Sequence, residues 1–278
     1  MAISSNTLFH YTSKLNSLKS ILKSGFKVSY CRELDGVFPM ISFCDLPLGQ
    51  AKLPLNDYGE FAIGMNNEWA KKNKLNPVLY LESESYLTEE ISKALLSVQS
   101  NAHSWMSKTE TSIIAAKAVM GNNHPEIVNR FIDLTQSVSS LENSRTMVKS
   151  MLNIFRFSKP FKGDLIRDGQ IVSKNHKFYD EREWRYIPDY DYKGIIPQMS
   201  FEQYEKFKEN HPTKPHIKHK KHAVSFKASD INYLIVKQDS DIPKLITHLN
   251  NQDHLGSARE IRLLTTKIMT AKQIKEDL

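Results

Sequence analysis

Two short segments far apart in the chain hold the residue types best suited to chemistry. Residues 8–12 read Leu-Phe-His-Tyr-Thr, and residues 178–186 read Phe-Tyr-Asp-Glu-Arg-Glu-Trp-Arg-Tyr. The first offers an imidazole, which near neutral pH donates a hydrogen bond at one ring nitrogen and accepts at the other. The second offers three carboxylates, of which Glu181 and Glu183 stand two residues apart. Alternate positions of a strand face one side, so Glu181, Glu183 and Arg185 are expected to share a face, and Arg182, Trp184 and Tyr186 the other. An exposed edge strand with Glu–Arg pairs explains that alternation equally well. Convergence of His10 and Glu183 on one cleft predicts a group-transfer enzyme acting on a nucleotide. Placement on opposite faces leaves a basic globular protein with no assigned reaction.

The chain has 278 residues, 40% apolar and 25% charged, which is ordinary for a globular protein able to bury a full core. No apolar run approaches the roughly 18–20 residues that a membrane span needs. The N-terminus lacks the basic-then-apolar pattern of a signal peptide. Only Cys31 and Cys44 are present, with no CxxC, which argues against a disulfide scaffold or zinc knuckle and fits a reducing cytoplasm. The net charge of +7 favours polyanions such as nucleic acid over membranes.

Several elements must position these groups. A β-like run at 9–11 leads through Ser13, a candidate N-cap, into a helix with Leu15, Leu18, Ile21 and Leu22 on one face, closed by Gly25. Strands are expected at 26–30, 37–44, 58–65 and 77–82, with a loop punctuated by Pro47 and Pro54 and a short helix around Glu68–Lys74. From about Thr88 to Phe157 the pattern is helical, an insertion spanning about 84–158. Strand signals return at Gln170–Ser173, Trp184–Ile187, Ala223–Phe226, Ile231–Val236 and Glu260–Leu264, with a helix at Ile242–Leu249. The lysine- and histidine-rich stretch 214–222 reads as an exposed basic loop touching phosphate. This β-rich, α-rich, β-rich order predicts a single α+β domain over 1–278, its mixed sheet completed by both chain ends.

A strand ending in Phe-His-Tyr-Thr, a helix, then Gly-Phe resembles the first element of the ADP-ribosyltransferase superfamily, and Glu183-Trp resembles its catalytic step. The resemblance implies an NAD-dependent transferase. His10, with its neighbours Tyr11 and Thr12, would hold a ribose of NAD. Glu183 would stabilise positive charge developing on the sugar as the nicotinamide bond breaks. Glu181 would help to hold the acceptor. Ser42 would anchor the nicotinamide ribose or amide, and Tyr58 would stack on the nicotinamide with Gly59 allowing close approach. Arg32 stands where a pyrophosphate clamp would come from. As lone residues, His10 and Arg32 read more plainly as a backbone-satisfied histidine and a surface arginine.

Nearly end to end, from Leu8–Thr12 through Ile41–Pro47, Tyr58–Gly64, Lys159-Pro-Phe and Tyr179–Pro188 to residues 267–274, the chain also resembles the AbiGi-type abortive-infection proteins of bacteria. That resemblance implies a cytoplasmic toxin of a toxin–antitoxin phage-defence system, with NAD as co-substrate, a nucleic-acid acceptor (RNA ahead of DNA, protein open) and an antitoxin as possible partner. The alternatives are a non-catalytic interaction or sensor protein of the same system, and a 2′-phosphotransferase, which Glu183 disfavours. P-loop, GxGxxG, GxSxG and HExxH motifs are absent, and the lysines among His216, His219 and His222 disfavour a metal.

Overall fold

The computed structural model describes residues 5–33, 36–94, 149–167, 170–189, 195–210 and 223–277, with isolated positions at 97, 143, 146 and 147. It divides into two compact units, Met1–Tyr80 with Lys159–Leu278, and Leu81–Ser158. Within the second, helix is described at 86–94 and 149–156. Most of the expected helical middle, and the basic stretch 214–222, lie outside the described residues.

The first unit is α+β. Strands β1 (Thr7–Thr12), β2 (Ser29–Glu33), β3 (Gly36–Cys44), β4 (Phe61–Asn66), β5 (Asn76–Pro77) and two short strands at the junctions, β6 (Leu79–Leu81) and β7 (Ser158–Pro160), come before a hairpin of β8 (Gly163–Arg167) and β9 (Gln170–His176). After it come β10 (Glu183–Tyr186), β11 (Ile231–Val236) and β12 (Ile268–Thr270). The main sheet runs β12-β11-β4-β1-β3-β10-β5, with β2 paired to the outer part of β3. Both chain ends therefore complete one sheet, as expected.

Each face of that sheet packs a different core. Leu8, Phe43, Ile63 and Leu234 point to one side, against Leu18 and Leu22 of helix α1 (Leu15–Ser24) and Trp69 of helix α3 (Asn67–Lys72). Leu18 and Leu22 are fully buried, each stabilising the fold by about 2 kcal/mol. Phe9, Ala62 and Ile235 point to the other side, against Leu55 of helix α2 (Lys52–Tyr58) and Ile274 of the C-terminal helix.

Several local expectations are corrected. Tyr58 does not open a strand; it closes α2, whose first turn holds Pro54, where a missing N–H costs little. Lys14, not Ser13, is the N-cap of α1, and it makes no side-chain cap bond. Gly25 does end that helix, at φ 78 with its N–H on the Ile21 carbonyl. Residues 223–226 form only an isolated bridge, Phe26 to Val224. The expected strand Glu260–Leu264 is the helix Ala258–Thr265, because Ser257 and Glu260 form a reciprocal capping box.

The sheet has a seam. β1 pairs with β4 along its whole length, Thr7–Thr12 against Asn66–Phe61, but with β3 only at Phe9↔Cys44. Beyond that pair β1 and β3 part, and the candidate site lies along their separation.

Candidate functional site

Alternation along the paired strands decides which side chains meet. Phe9, Cys44 and Glu183 are direct cross-strand partners and share a face, as do Ser42 and Arg185. His10 follows Phe9, so its side chain leaves the sheet on the opposite side from Glu183. There its ring packs on Phe26 and Phe43, with centroids 5.3 and 5.5 Å away. The two residues do not line one wall. They meet through Ser42: its carbonyl accepts from His10 Nδ1 at 2.8 Å, and its hydroxyl donates to Glu183 Oε1 at 2.6 Å. A strand carbonyl lies in the plane of the sheet, so the imidazole fills the seam where β1–β3 pairing stops. A carbonyl only accepts, which puts the proton on Nδ1 and leaves Nε2 as an acceptor with no partner among the described residues. Burial holds the His10 pKa below its usual 6.5, against the opposing pull of the Ser42 bond, so the ring is neutral.

Glu183 is 3% exposed and opens β10 inside a buried ionic cluster. Arg185 Nε reaches its Oε1 at 2.6 Å, and Lys159 Nζ reaches its Oε2 at 2.6 Å. Burial works to raise the Glu183 pKa, but Arg185 and then Lys159 outweigh it and hold the carboxyl far below the usual range. Its backbone N–H donates to the Tyr80 hydroxyl at 2.8 Å. Arg185, fully buried, also bridges to Glu33 at 2.8 Å. Burial raises the Glu33 pKa despite Arg185.

Glu181 reaches the same cluster by a different route from the one expected. It lies in a 3-10 turn, Phe178–Glu181, rather than on the strand, and Arg182 follows at φ 47 and ψ 54. That left-handed residue, costly for any side chain with a Cβ, reverses the chain between the two glutamates. Lys159 Nζ donates to Glu181 Oε2 at 2.8 Å, His176 Nε2 donates to its Oε1 at 2.9 Å, and the Tyr58 hydroxyl donates to the same oxygen. Burial first, then the nearby Glu181 charge, pushes the Tyr58 phenol far up, so it remains a donor.

Ser42, Tyr58, Glu181 and Glu183 are thus brought together, with His10 joined through Ser42. Gly59 has φ 116, and its close approach is to the Thr12 and Ser13 backbone rather than to open space. The Tyr11 hydroxyl, on the Glu183 side of the sheet, is buried and has no hydrogen-bond partner among the described residues. Thr12 pairs with Phe61 at the end of β1. Arg32 is not in the cluster: it faces the other side of β2, pairs with Glu205 and lies over the Phe201 ring, its side chain 54% exposed. Lys159, His176 and Glu33 join the site without belonging to any motif in the sequence. The one available signal was a lysine set among apolar neighbours in Phe157-Ser-Lys-Pro-Phe161.

The chain matches, over residues 30–237, the family described as "Putative abortive phage resistance protein AbiGi, antitoxin". It belongs to the AbiGi family. The matched span holds every member of the ionic cluster and Ser42, with His10 outside it. A curated relative, "Abortive phage resistance protein AbiGi" of Lactococcus lactis subsp. cremoris, is 27% identical over 254 residues, 86% of this chain and 88% of the relative. No solved structure matches. Abortive phage resistance is therefore the setting, and the family description stands on the antitoxin side, against the toxin role that the sequence suggested. Among the described residues no helix is long and apolar enough to cross a membrane, and no cluster of ligands suits a metal.

Proposed function

We propose that this AbiGi protein acts in phage defence by transferring ADP-ribose from NAD to a nucleic-acid acceptor. The reading rests on one observation: residues 173 positions apart, His10 and Glu183, are tied to the same serine at a seam in the sheet. Their side chains leave the sheet on opposite sides, so the single-cleft arrangement expected from the sequence is not met, and the shared serine is what supports the reading. The proposed site runs across the seam, His10 on the β1 lip and Ser42 with Glu183 on the other.

The residues suit that substrate chemically. Neutral His10 offers Nε2 to a ribose hydroxyl. Glu183, kept ionised by Arg185 and Lys159, faces the sugar as its bond to nicotinamide breaks and positive charge spreads over C1′ and O4′. Among the described residues Glu181 and Glu183 converge on Lys159, with Arg185 joining Glu183 to Glu33, so the carboxylates stand close enough to act on positive charge developing beside them. The bonding pair leaves with nicotinamide, the acceptor oxygen or nitrogen bonds C1′, and its proton passes to Glu181 or His176. The net charge of +7 supports a polyanionic acceptor.

A second reading, a non-catalytic antitoxin, draws on the family description and on Glu183, whose two oxygens are both taken up by Ser42, Arg185 and Lys159. Incubation of the purified protein with adenylate-labelled NAD and cellular RNA, DNA and protein separates the two. Label on nucleic acid supports transfer to that acceptor. Label on protein alone supports transfer but rejects the nucleic-acid acceptor, and no label on any fraction from folded protein supports the antitoxin.

A further inference from the structure

Glu181 and Glu183 present carboxylates to one point, where two negative charges in a dry pocket repel and one would ordinarily take a proton. Lys159 occupies that point. Its ammonium donates to Glu181 at 2.8 Å and to Glu183 at 2.6 Å, and the Phe178 ring covers it with the centroid 4.6 Å away. Its side chain is 8% exposed, so water offers little competition. Arg185 bonds Glu183 and Glu33. Lys159 is thus the cation that bridges the two glutamates.

We propose that Lys159 is the positioning residue of this site: by bridging the two glutamates it keeps both ionised and their oxygens fixed. The inference deepens the transferase reading and rests on it for its catalytic meaning, while the ionisation itself is testable without NAD. Lys159 is also the first residue of the larger unit after the return from Leu81–Ser158, and Tyr80, the last before departure, bonds the Glu183 backbone. The residues on either side of the inserted unit therefore both hold Glu183.

The test compares the full-length wild type with Lys159→Met and Lys159→Arg. The first readout is the pH profile of NAD consumption. The second is the titration of glutamate carboxyls by NMR in protein labelled with carbon-13, without NAD. Lys159→Met is expected to move the acid limb of activity up by about 1–3 pH units and to show a carboxyl titrating that much higher, the signal vanishing in Lys159→Met/Glu181→Gln. Lys159→Arg is expected to restore the wild-type profile. An unchanged carboxyl titration, or a loss of activity equal at every pH, overturns the proposal. Should the single variant not fold, Lys159→Met/Glu181→Gln decides: a folded protein is expected, and one no better folded than the single variant overturns the bridge. Absence of NAD turnover in the wild type, with the carboxyl shift present, rejects the transferase and leaves the bridge standing.

Discussion

His10 and Glu183, on strands β1 and β10, bond the two ends of Ser42, one its main-chain carbonyl and the other its hydroxyl. A residue on the intervening strand thereby couples an imidazole on one side of the sheet to a carboxylate on the other. The arrangement exists because β1 and β3 pair only once, at Phe9↔Cys44, and leave the Ser42 carbonyl open toward β1.

Ser42→Ala separates the two bonds. The hydroxyl to Glu183 is lost while the carbonyl to His10 stays. A hydrogen bond to a charged group contributes about 1.5–3 kcal/mol, and a stability loss in that range is expected in urea denaturation. Loss of NAD consumption should exceed that produced by Arg32→Ala, which removes only a surface pair.

Arg185 is the most exposed to failure by substitution, because its removal strands two buried carboxylates. Arg185→Met is expected to cost about 3–5 kcal/mol, read from the denaturant midpoint. Glu33→Gln should recover part of that loss, since burial already raises the Glu33 pKa.

Stability should fall on mild acidification, and His10 should be one cause. Its pKa is lowered by burial from 6.5, so below that value the unfolded chain takes up a proton that the native ring resists. The stabilisation is present above the unfolded pKa and is lost as pH falls toward the native one. Denaturant midpoints at about pH 7.5 and about pH 5.5 should differ more for wild type than for His10→Gln.

Gly59 is fixed by geometry. At φ 116, a Cβ there would stand 2.5 Å from the Ser13 Cα and the Thr12 carbonyl oxygen. Gly59→Ala is expected to lose more than about 1 kcal/mol and to disturb Tyr58 and β1 together. A thermal melt with no shift would contradict that packing.

Periodicity made much of the frame legible. The strand Ile231–Val236 and the helix Ile242–Leu249 stand where their apolar spacing puts them. Glu260–Leu264 misled because Leu and Ile suit either period, and the deciding signal was the capping pair Ser257 and Glu260 just upstream. In the site, Glu183 and Arg185 share a face as strand alternation requires. Glu181 joins them for a reason invisible to alternation, the left-handed turn at Arg182. The side of the sheet taken by His10 depends on the register of β1 against β3, which no local pattern encodes. Lys159 was hidden for a similar reason: it is one of 38 basic residues, and only the fold shows which is buried between two acids.

The most direct test of the central claim is NAD consumption by Glu183→Gln. Glutamine keeps the shape, and Arg185 retains Glu33 while Lys159 retains Glu181. The lost charge weakens two buried ion pairs, so the variant is expected to fold with a lower melting temperature and is assayed well below it. The account predicts a wild type that releases nicotinamide from NAD and a folded variant that does not. Undiminished nicotinamide release by the folded Glu183→Gln protein would contradict it.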